Sequence, residues 1–433
     1  MFRKGELAMK INVIGLGYIG LPTSVVFASH GVEVKGIDTK KEVVDKLNAG
    51  QIHIEEEGLQ SLFEEVVDSG MFQAQLQPEE ADAFIIAVPT PNKDDEFKSC
   101  DTRYVVSALQ AIVPFLRKGN TVIVESTIAP RTMEDVVLPI IQEAGFSVGE
   151  DIFLAHCPER VLPGNIVHEM VYNPRIIGGI TEQCTEEAAR VYQTFVKGEL
   201  IRSKAGEAEL SKLMENTFRD VNIALANELV KVSEKLNIDA LKVIEMANLH
   251  PRVNLHTPGP GVGGHCLAVD PYFVVASAPE ESPLIKTARA INVSMPKFVE
   301  AKVDEIMANA PTNKISVLGL TYKGNIDDIR ESPAMEIMEE LRKKYDVGIY
   351  DPHVSHYSES IESATANSSL LLILTDHNEF KAIDESYIKN MKQAQILDTK
   401  NIVKEYPEHV TYFNFGNIAE VKQLNEKDDL YVH

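Results

Sequence analysis

Cys266 is the residue whose surroundings most clearly favour chemistry. It follows a glycine-dense stretch in Gly261–Asp270 (GVGGHCLAVD), where small residues leave room for a substrate carbon to approach the sulfur. A thiolate can add to an aldehyde carbon, after which the adduct can lose a hydride and leave a thioester for water to hydrolyse. Asp270 could order that water as a base. The competing interpretation is structural, because a single cysteine in a globular chain is usually a small buried hydrophobic residue.

A second candidate group lies in a segment that is predicted to be helical. Lys212, Asn216 and Arg219 are separated by four and then three residues, which places them on one face of a helix. A nearby ammonium favours the thiolate form of a cysteine, so Lys212 could activate Cys266. The same ammonium, together with Asn216, could stabilise an oxyanion on the substrate. A lysine on a helix face is, however, more commonly solvated than functional.

The start of the chain carries a pattern that is typical of dinucleotide binding. A short apolar run, Lys10–Ile14, leads directly into GLGYIG, and a second apolar run, Val32–Ile37, ends at an acid. Strand, glycine turn, helix and strand with a terminal acid form the βαβ unit that binds NAD. The turn glycines allow a tight turn, close approach of a pyrophosphate and close helix–strand packing, and they are Gly15, Gly17 and Gly20 in that order.

The acid after the second strand, Asp38, predicts which cofactor binds. Its carboxylate can accept both ribose hydroxyls of NAD and would repel the 2′-phosphate of NADP. Lys40 and Lys41 follow it and could tolerate that phosphate. A glycine turn with no cofactor is the structural alternative. The pattern as a whole predicts NAD.

Apolar strand-like runs and helical stretches alternate along the first half of the chain. Further apolar runs occur at Ala83–Val88, Thr121–Val124 and Ile152–Ala155, separated by segments of helical length. This alternation predicts a parallel sheet with helices on both faces. From about Gly206 to Leu236, a segment rich in Ala, Leu, Glu, Lys and Met predicts one long helix.

The last third of the chain begins with a near copy of the first strand and turn. KISVLGLTYKG (Lys314–Gly324) repeats KINVIGLGYIG (Lys10–Gly20), and it leads towards another strand that ends in an acid, Asp351. In the copy, Thr321 replaces a turn glycine and Lys323 brings a cation close to the same place. We therefore expect a second Rossmann-like unit that binds a phosphorylated ligand through a charge. Chance similarity between two buried strands is the alternative.

Composition and charge exclude several classes of partner. The 433-residue chain has a formal net charge of −23, which argues against nucleic acid or an anionic membrane, although a local basic pocket could bind a small anionic substrate. No apolar run is long enough to span a membrane, and the first residues do not resemble a signal peptide. We expect a cytoplasmic protein without a metal site or disulfide framework, because its cysteines form no CxxC pair. Structural roles are expected for three of them, Cys100, Cys157 and Cys184.

These segments together resemble the UDP-glucose/GDP-mannose dehydrogenase family, and in particular its UDP-sugar 6-dehydrogenases. The resemblance extends from Lys10 to about Val403 and rests on GLGYIGLP, AVPTP, ESTIAP, CPERVLPG, ELSKLMENTFRDVNIALANEL, PGPGVGGHCLAVDP and GLTYKGNIDDIRESPA. UDP-glucose dehydrogenases usually carry GGSCFPKD around the cysteine, whereas this chain has His265 before Cys266 and AVD further on. That variant, with CPERVLPG and HPRVN, resembles the UDP-N-acetyl-D-mannosamine dehydrogenases of bacterial surface-polysaccharide pathways.

The resemblance implies a homodimeric, NAD-dependent enzyme that oxidises C6 of a UDP-sugar to the acid in two steps. It implies Cys266 as the nucleophile and Lys212 as proton donor and acceptor, with Asn216 and Asp270 assisting. Residues implied close to the reacting carbon and its water are Glu159 and Thr127. Residues implied at the UDP-sugar are Glu159, Arg160, Val161, Lys212, Asn216, Arg219, His250, Arg252 and Gly263, with Tyr322 and Lys323 at the nucleotide. Residues implied at NAD are Gly15, Gly17, Tyr18, Ile19, Gly20, Asp38, Thr90, Thr127 and Arg330.

The predicted architecture is α/β, with two Rossmann-like doubly wound domains joined by a central long-helix region. Short apolar runs at Leu370–Leu374 and Ile396–Asp398 would complete the second sheet. The predicted divisions are an N-terminal extension at 1–8, an NAD-binding Rossmann domain at 9–205, a central helical and dimerisation region with the catalytic loop at 206–305, and a C-terminal UDP-binding Rossmann-like domain at 306–433.

Three alternatives stay open on the sequence alone. The same chemistry could act on UDP-N-acetylglucosamine or UDP-glucose, which differ from the mannosamine sugar at C2. A two-electron dehydrogenase of the 6-phosphogluconate or hydroxyacid type would use a helix Lys/Asn pair and need no cysteine. A nucleotide-sensing protein could have kept the fold and lost turnover, but the intact set of Lys212, Asn216, Cys266 and Asp270 favours an enzyme.

Overall fold

The structure is a computed structural model that describes residues 9–54, 56–161 and 164–422. These residues form two compact units. The first contains the described residues up to Glu215 together with Tyr272–Pro279, and the second contains Asn216–Pro271 and the described residues from Glu280 onward. The extension predicted at 1–8 lies outside the described residues.

The first unit is built on one sheet. Its strands are β1 (Lys10–Ile14), β2 (Glu33–Ile37), β3 (Phe72–Gln75), β4 (Ala83–Ile86), β5 (Asn120–Val124), β6 (Ile152–His156), β7 (Arg175–Gly179) and β8 (Leu200–Lys204). Its helices are α1 (Gly20–Ser29), α2 (Lys41–Asn48), α3 (Leu59–Asp68), α4 (Arg103–Ile112), α5 (Leu138–Glu143), α6 (Ile166–Tyr172) and α7 (Glu182–Tyr192). The strand order is β3-β2-β1-β4-β5-β6-β7-β8, and neighbouring strands are parallel except for β6 and β7.

This sheet is buried on both faces, because successive residues of its central strands point in opposite directions. Phe84 and Ile86 of β4 join one apolar cluster, which also contains Leu109 of α4. Ile85, between them, joins the cluster on the other face with Val25 of α1. The short run AFII therefore needs helices on both sides of the sheet, and the predicted doubly wound fold class is confirmed.

Strand β1 is the point at which the strand order reverses. Strand β2 pairs with one edge of β1 and β4 pairs with the other edge. The connections that leave β1 and β4 therefore run over opposite faces, and a crevice opens at the carboxyl ends of these strands, where α/β sheets bind ligands. The GLGYIG turn follows β1 directly.

The second unit repeats the parallel-sheet architecture. Its strands are β9 (Lys314–Leu318), β10 (Asp346–Tyr350), β11 (Leu370–Ile373), β12 (Gln395–Asp398) and β13 (Thr411–Asn414), in the order β10-β9-β11-β12-β13. The remaining α-helices of the described chain are α8 (Ala205–Leu236), α9 (Ala240–Asn248), α10 (Asp270–Ser277), α11 (Pro283–Val293), α12 (Met295–Met307), α13 (Pro333–Leu341), α14 (Ile361–Thr365) and α15 (Glu385–Ile388).

Helix α8 is the long helix that the sequence predicts, and it begins one residue earlier than expected. The boundary between the two units falls within it, after Glu215. In the second unit, Val230 of α8 joins an apolar cluster with Val299 of α12 and Ile315 of β9. In the described part of the chain no helix, α8 included, combines the length and the apolar character that crossing a membrane requires.

Two glycines of the turn after β1 differ in how closely they are packed. At Gly20 an added Cβ would lie 1.8 Å from the carbonyl oxygen of Gly15, so α1 approaches the end of β1 more closely than any side chain allows. At Gly17 an added Cβ would meet no atom within 4 Å. Close packing therefore requires glycine at position 20, whereas the space above the turn at Gly17 is open.

We predict that Gly20→Ala lowers the free energy of unfolding by about 2 kcal/mol or more, because the new methyl group overlaps a backbone oxygen of the turn. The matched control Gly17→Ala should change it by about 0.5 kcal/mol or less. Urea unfolding of the two purified variants measures the difference. Equal losses in both would contradict the packing assigned to Gly20.

Candidate active site

The glycine turn after β1 is held by the acid that follows β2. Asp38 Oδ2 accepts a hydrogen bond from the backbone N–H of Leu16 (3.1 Å), and its Oδ1 accepts one from the N–H of Lys40 (2.9 Å). Two carboxylate oxygens can accept about four hydrogen bonds, so this half-buried carboxylate keeps acceptor capacity for ribose hydroxyls. Gly17 is exposed and leaves space for a pyrophosphate to approach the backbone. These residues fit NAD.

Other residues predicted at the cofactor surround the same edge of the first sheet. Tyr18 is exposed, and Ile19 directly precedes the first residue of α1. Thr90 and Thr127 lie in the loops after β4 and β5, and the Thr90 hydroxyl donates to the Thr127 carbonyl (2.6 Å). The carboxyl ends of β1, β2, β4 and β5 thus gather the predicted NAD residues of this unit.

A buried ion-paired cluster in the first unit includes Glu159 and was not predicted. The Arg175 guanidinium contacts Glu159 Oε2 (2.5 Å) and Glu125 Oε1 (3.4 Å). The Tyr192 hydroxyl donates to Glu125 Oε1 (2.6 Å), and the Thr23 hydroxyl donates to its Oε2 (3.0 Å). Burial raises the pKa of Glu125, and the charge of Arg175 opposes this shift. The only sequence signal for this cluster is an arginine at the start of an otherwise apolar strand, RIIGG.

The neighbours of Glu159 are also held by polar contacts. The Arg160 N–H donates to Glu159 Oε1 (2.8 Å), so both carboxylate oxygens of Glu159 accept a donor. The Arg160 guanidinium pairs with Glu215 (2.8 Å). Val161 packs against the apolar cluster beneath the sheet. The segment CPERV is therefore fixed by charge and by packing.

Lys212 and Cys157 of the first unit differ in burial and therefore in their capacity to react. Lys212 is half-buried on α8. Burial, together with the nearby charge of Lys212, lowers the pKa of His156, at the end of β6, to about 4. Burial raises the pKa of the Cys157 thiol to about 12, and its Sγ donates to the Ile176 carbonyl (3.1 Å). Cys157 is therefore an inert interior thiol.

In the second unit the structure brings Asn216 and Asp270 together beside Cys266. Cys266 is half-buried, whereas Cys100, Cys157 and Cys184 are buried. The Cys266 carbonyl accepts the N–H of Asp270 (2.9 Å), which makes a tight turn into α10. Asn216 Nδ2 donates to Asp270 Oδ2 (2.6 Å), and both side chains are buried. The thiol thus follows a glycine loop and precedes an amide–carboxylate pair.

The glycine loop before Cys266 packs on the segment that is predicted to bind the nucleotide. At Gly263 an added Cβ would lie 2.4 Å from the Glu331 carbonyl oxygen, and at Gly264 it would lie 2.7 Å from the ring of Tyr322. Next to the cysteine, His265 Nδ1 lies 3.4 Å from the Arg330 guanidinium. Arg330 is oriented by a two-pronged contact to Asp328, with its shorter arm at 2.6 Å. Gly263, Tyr322 and Arg330 therefore lie around one loop.

The loop with Lys323 is held by residues after β11 that the sequence did not identify. The Thr375 hydroxyl donates to the Thr321 carbonyl (2.8 Å), Asp376 Oδ1 accepts the Gly324 N–H (3.0 Å), and His377 Nδ1 accepts the Asn325 N–H (2.9 Å). The Lys323 side chain is exposed. The second unit thus presents a cation from a fixed backbone loop at the reversal point of its sheet.

The acid of the second unit does not repeat the role of Asp38. Asp351 is 1% exposed and accepts the N–H groups of Leu320 (2.7 Å), His353 (2.8 Å) and Val354 (3.1 Å). Its Oδ2 also lies 3.2 Å from His377 Nε2. Four internal donors use the acceptor capacity of this carboxylate, so ribose hydroxyls cannot compete for it.

One group of possible metal ligands lies in the same region. His353, His377 and Glu379 place their donor atoms within 4.8 Å of one another. The two imidazole rings are stacked, with 26° between their planes, and both His377 nitrogens already face other polar groups. In-plane lone pairs of stacked rings do not converge on one point, so this geometry does not favour a metal centre.

Arg219, His250 and Arg252 are exposed in the structure. Arg219 lies on α8, three residues after Asn216, and the other two follow α9. The Arg252 N–H donates to His250 Nδ1 (3.3 Å). These predicted substrate residues are therefore exposed on α8 and after α9, and lie outside the Cys266 loop.

The chain matches three domain models of one family along most of its length. The NAD binding domain of the UDP-glucose/GDP-mannose dehydrogenase family matches residues 9–196, its central domain matches 206–294, and its UDP binding domain matches 316–405. These matches confirm the family resemblance and the NAD cofactor that the sequence predicts.

Relatives and solved structures match over almost the whole chain. A UDP-N-acetyl-D-mannosamine dehydrogenase from Methanocaldococcus jannaschii is 43% identical and covers 92% of this chain and 94% of its own length. An NDP-N-acetyl-D-galactosaminuronic acid dehydrogenase from Ralstonia nicotianae is 42% identical, covering 90% of this chain and 96% of its own length. The native structure of the UDP-N-acetyl-mannosamine dehydrogenase Cap5O from Staphylococcus aureus is 57% identical with a TM-score of 0.89, covering 95% of this chain and 99% of that one. The chain therefore belongs to the UDP-glucose/GDP-mannose dehydrogenase family and is an NAD-dependent oxidoreductase.

Proposed function

We propose that this enzyme oxidises UDP-N-acetyl-D-mannosamine at C6 to UDP-N-acetyl-D-mannosaminuronate, in two steps and through a covalent Cys266 intermediate. The similar proteins from M. jannaschii and S. aureus, which carry that substrate in their names, support the choice of sugar. The sequence GHCLAVD around the cysteine supports it too. The product is an activated uronic acid, which suits a precursor of a surface polysaccharide.

The first unit holds the cofactor in this proposal. The turn of Gly15, Gly17 and Gly20 receives the pyrophosphate and Asp38 receives the ribose, with Tyr18, Ile19, Thr90 and Thr127 as further contacts. Arg330, which belongs to the second unit, is one more proposed contact. When bound, NAD accepts a hydride from C6 at each of the two oxidation steps.

The side chains of the enzyme move the protons and form the covalent bond. Lys212 takes the proton of the C6 hydroxyl as the alcohol becomes an aldehyde. The Cys266 thiolate then adds to the aldehyde carbon, and Lys212 and Asn216 stabilise the alkoxide. Loss of the second hydride leaves a thioester on Cys266. Water gives a proton to Asp270 as base and adds to the thioester carbonyl. The C–S bond then breaks, which releases the uronic acid and restores the Cys266 thiolate.

Three carboxyl or hydroxyl groups would order the hydrolytic water. Asp270 is aligned by Asn216, and Glu159 is aligned by Arg175. Thr127 completes this set in the proposal. Arg160, Val161, Arg219, His250, Arg252 and Gly263 would contact the sugar or pyrophosphate, and Tyr322 and Lys323 would contact the nucleotide.

Cys266 carries this proposal, because of the four cysteines it alone is not buried. Two-electron dehydrogenases need no nucleophile. A thiol that is half-buried and that precedes a buried amide–carboxylate pair has the surroundings that covalent catalysis requires.

A second copy of this chain is the proposed partner of an exposed apolar stripe on α8. Phe218, Leu225, Val232 and Leu236 are between 46% and 61% exposed and are spaced by seven, seven and four residues, so they share one face of the helix. Such a stripe is rarely left in water, and a two-fold dimer covers it with its own copy.

The proposed function predicts two NADH for each uronate formed. A panel of UDP-N-acetylmannosamine, UDP-N-acetylglucosamine, UDP-N-acetylgalactosamine and UDP-glucose, followed by NADH absorbance and product mass, should give the highest kcat/KM with the mannosamine sugar.

Cys266→Ser should bind NAD and the UDP-sugar nearly normally and form no acid. One NADH per sugar, or acid formation by Cys266→Ser, would exclude the thioester route.

Lys212→Ala should lower kcat by about 100-fold or more, since a general acid–base group contributes at least that much. The dissociation constant of NAD, measured by calorimetry, should change by about threefold or less. The control Lys235→Ala removes an exposed lysine from the same helix and should leave kcat unchanged. Comparable losses of turnover and NAD binding in Lys212→Ala would indicate a structural lysine.

Leu225→Glu should convert a homodimer into a monomer, because the charge would be buried against a second copy of the stripe. Size-exclusion chromatography with light scattering measures the mass. The control Leu76→Glu places the same charge on another exposed leucine and should leave the mass unchanged. A monomeric parent protein would refute the proposed dimer.

A further inference from the structure

A buried polar chain in the second unit has no part in the proposed chemistry. Asp220 and Asn227 lie on α8, and Arg289 and Asn292 lie on α11; each is 4% exposed or less. Polar side chains are costly to bury unless they are hydrogen-bonded. Their contacts therefore show what the chain holds in place.

The hydrogen bonds connect an ion pair to a loop. Arg289 Nη1 and Asn292 Nδ2 both donate to Asp220 Oδ1, at 2.6 Å and 2.8 Å. Asn227 Nδ2 donates to Asn292 Oδ1 (2.9 Å), and the backbone N–H of Gly259 donates to Asn227 Oδ1 (2.9 Å). An amide donates on one side and accepts on the other, so Asp220 determines which way both asparagines point.

Gly259 needs this acceptor because it lies in a buried loop. Pro258, Gly259 and Pro260 are buried and belong to no helix or strand. A buried N–H outside regular structure requires a partner from elsewhere in the protein. Asn227 supplies it.

The same face of α8 holds the other end of the loop. Asn216 and Asn227 are 11 residues apart (227 minus 216), which is about three helical turns. Asn216 bonds Asp270, four residues after Cys266 (270 minus 266), and Asn227 bonds Gly259, seven residues before it (266 minus 259). Two amides of one helix therefore anchor the chain on both sides of the thiol.

The segment between the anchors has little room to move. An added Cβ at Gly261 would lie 2.9 Å from Pro333, and the Cβ positions at Gly263 and Gly264 are blocked by Glu331 and Tyr322. In a loop packed this closely, a shift at Gly259 is transmitted towards Cys266.

We propose that Asn227 is a positioning residue for the reaction, which fixes Gly259 and thereby places the Cys266 sulfur beside the Asn216–Asp270 pair. This inference rests on the proposed function, because it takes Cys266 as the nucleophile. Stability alone does not account for the polar chain, since apolar residues of similar volume stabilise an interior at least as well as a buried ion pair.

Asn227→Ala in the full-length enzyme tests the inference. We expect hydrogen exchange in peptides covering residues 257–266 to accelerate by about tenfold, as the loss of one hydrogen bond predicts, and kcat to fall by about tenfold. The rate at which iodoacetamide alkylates Cys266, followed by mass spectrometry, should change by about threefold or more, with the NAD dissociation constant within about twofold of the parent.

Asn222→Ala is the matched control, because the Asn222 amide donates to a carbonyl of its own helix, that of Phe218 (2.7 Å). It should leave loop exchange, alkylation and kcat unchanged. If Asn227→Ala does not fold, Asn227→Ser gives the same readouts with a smaller disturbance.

Two results would overturn the inference: faster loop exchange with unchanged kcat, or lower kcat with unchanged loop exchange and alkylation. Failure of the proposed function looks different. In that case the parent enzyme forms no uronate from any UDP-sugar, while exchange and alkylation still report whether Asn227 holds the loop.

Discussion

A thiol can form a bond with a substrate carbon only if the chain around it is bare enough to admit that carbon and fixed enough to aim the sulfur. Glycine and proline satisfy the first condition and work against the second, because a loop built from them has few hydrogen bonds of its own. Here helix α8 supplies the missing partners: the amide of Asn227 binds the loop at Gly259, and the amide of Asn216 binds Asp270 beyond the thiol. The ion pair of Asp220 and Arg289 orients the Asn227 amide through Asn292.

In the first unit, ion pairs rather than amide hydrogen bonds hold a candidate site residue, Glu159, in position. Glu125 and Glu159 share the buried guanidinium of Arg175, and Tyr192 and Thr23 donate hydrogen bonds to the two oxygens of Glu125. Loss of one member would leave an uncompensated charge in the interior, which is costlier than never burying the pair. The position of Glu159 therefore depends on α1, α7 and β7, which are distant from it in the sequence.

Local sequence patterns predicted most of the strands and helices. The apolar run Lys10–Ile14 is β1 residue for residue, and α8 differs from its predicted start by one position. Strands β3 and β8, FQAQ and LIRSK, were not predicted because they are edge strands with polar residues, so they lack an apolar run. Strand β7, RIIGG, was missed because its glycines are typical of turns; here added Cβ atoms would collide with the backbone of Lys204 at the end of β8 and of Thr185 in α7. The roles of Arg175, Asn227 and His377 depend on partners at least 16 residues away, and one sequence does not show such pairings.

The buried carboxylate of Asp351 explains why two units with the same βαβ pattern do not offer two equivalent ribose sites. Both units place an acid after the second strand of a βαβ pattern, and a reader of sequence would count two nucleotide-ribose sites. Three internal N–H groups and an imidazole occupy the Asp351 carboxylate, so the second unit keeps the βαβ pattern although its acid is not available to a ribose. Ligand discrimination between two look-alike halves of one chain can thus reside in a few hydrogen bonds that no ligand ever touches.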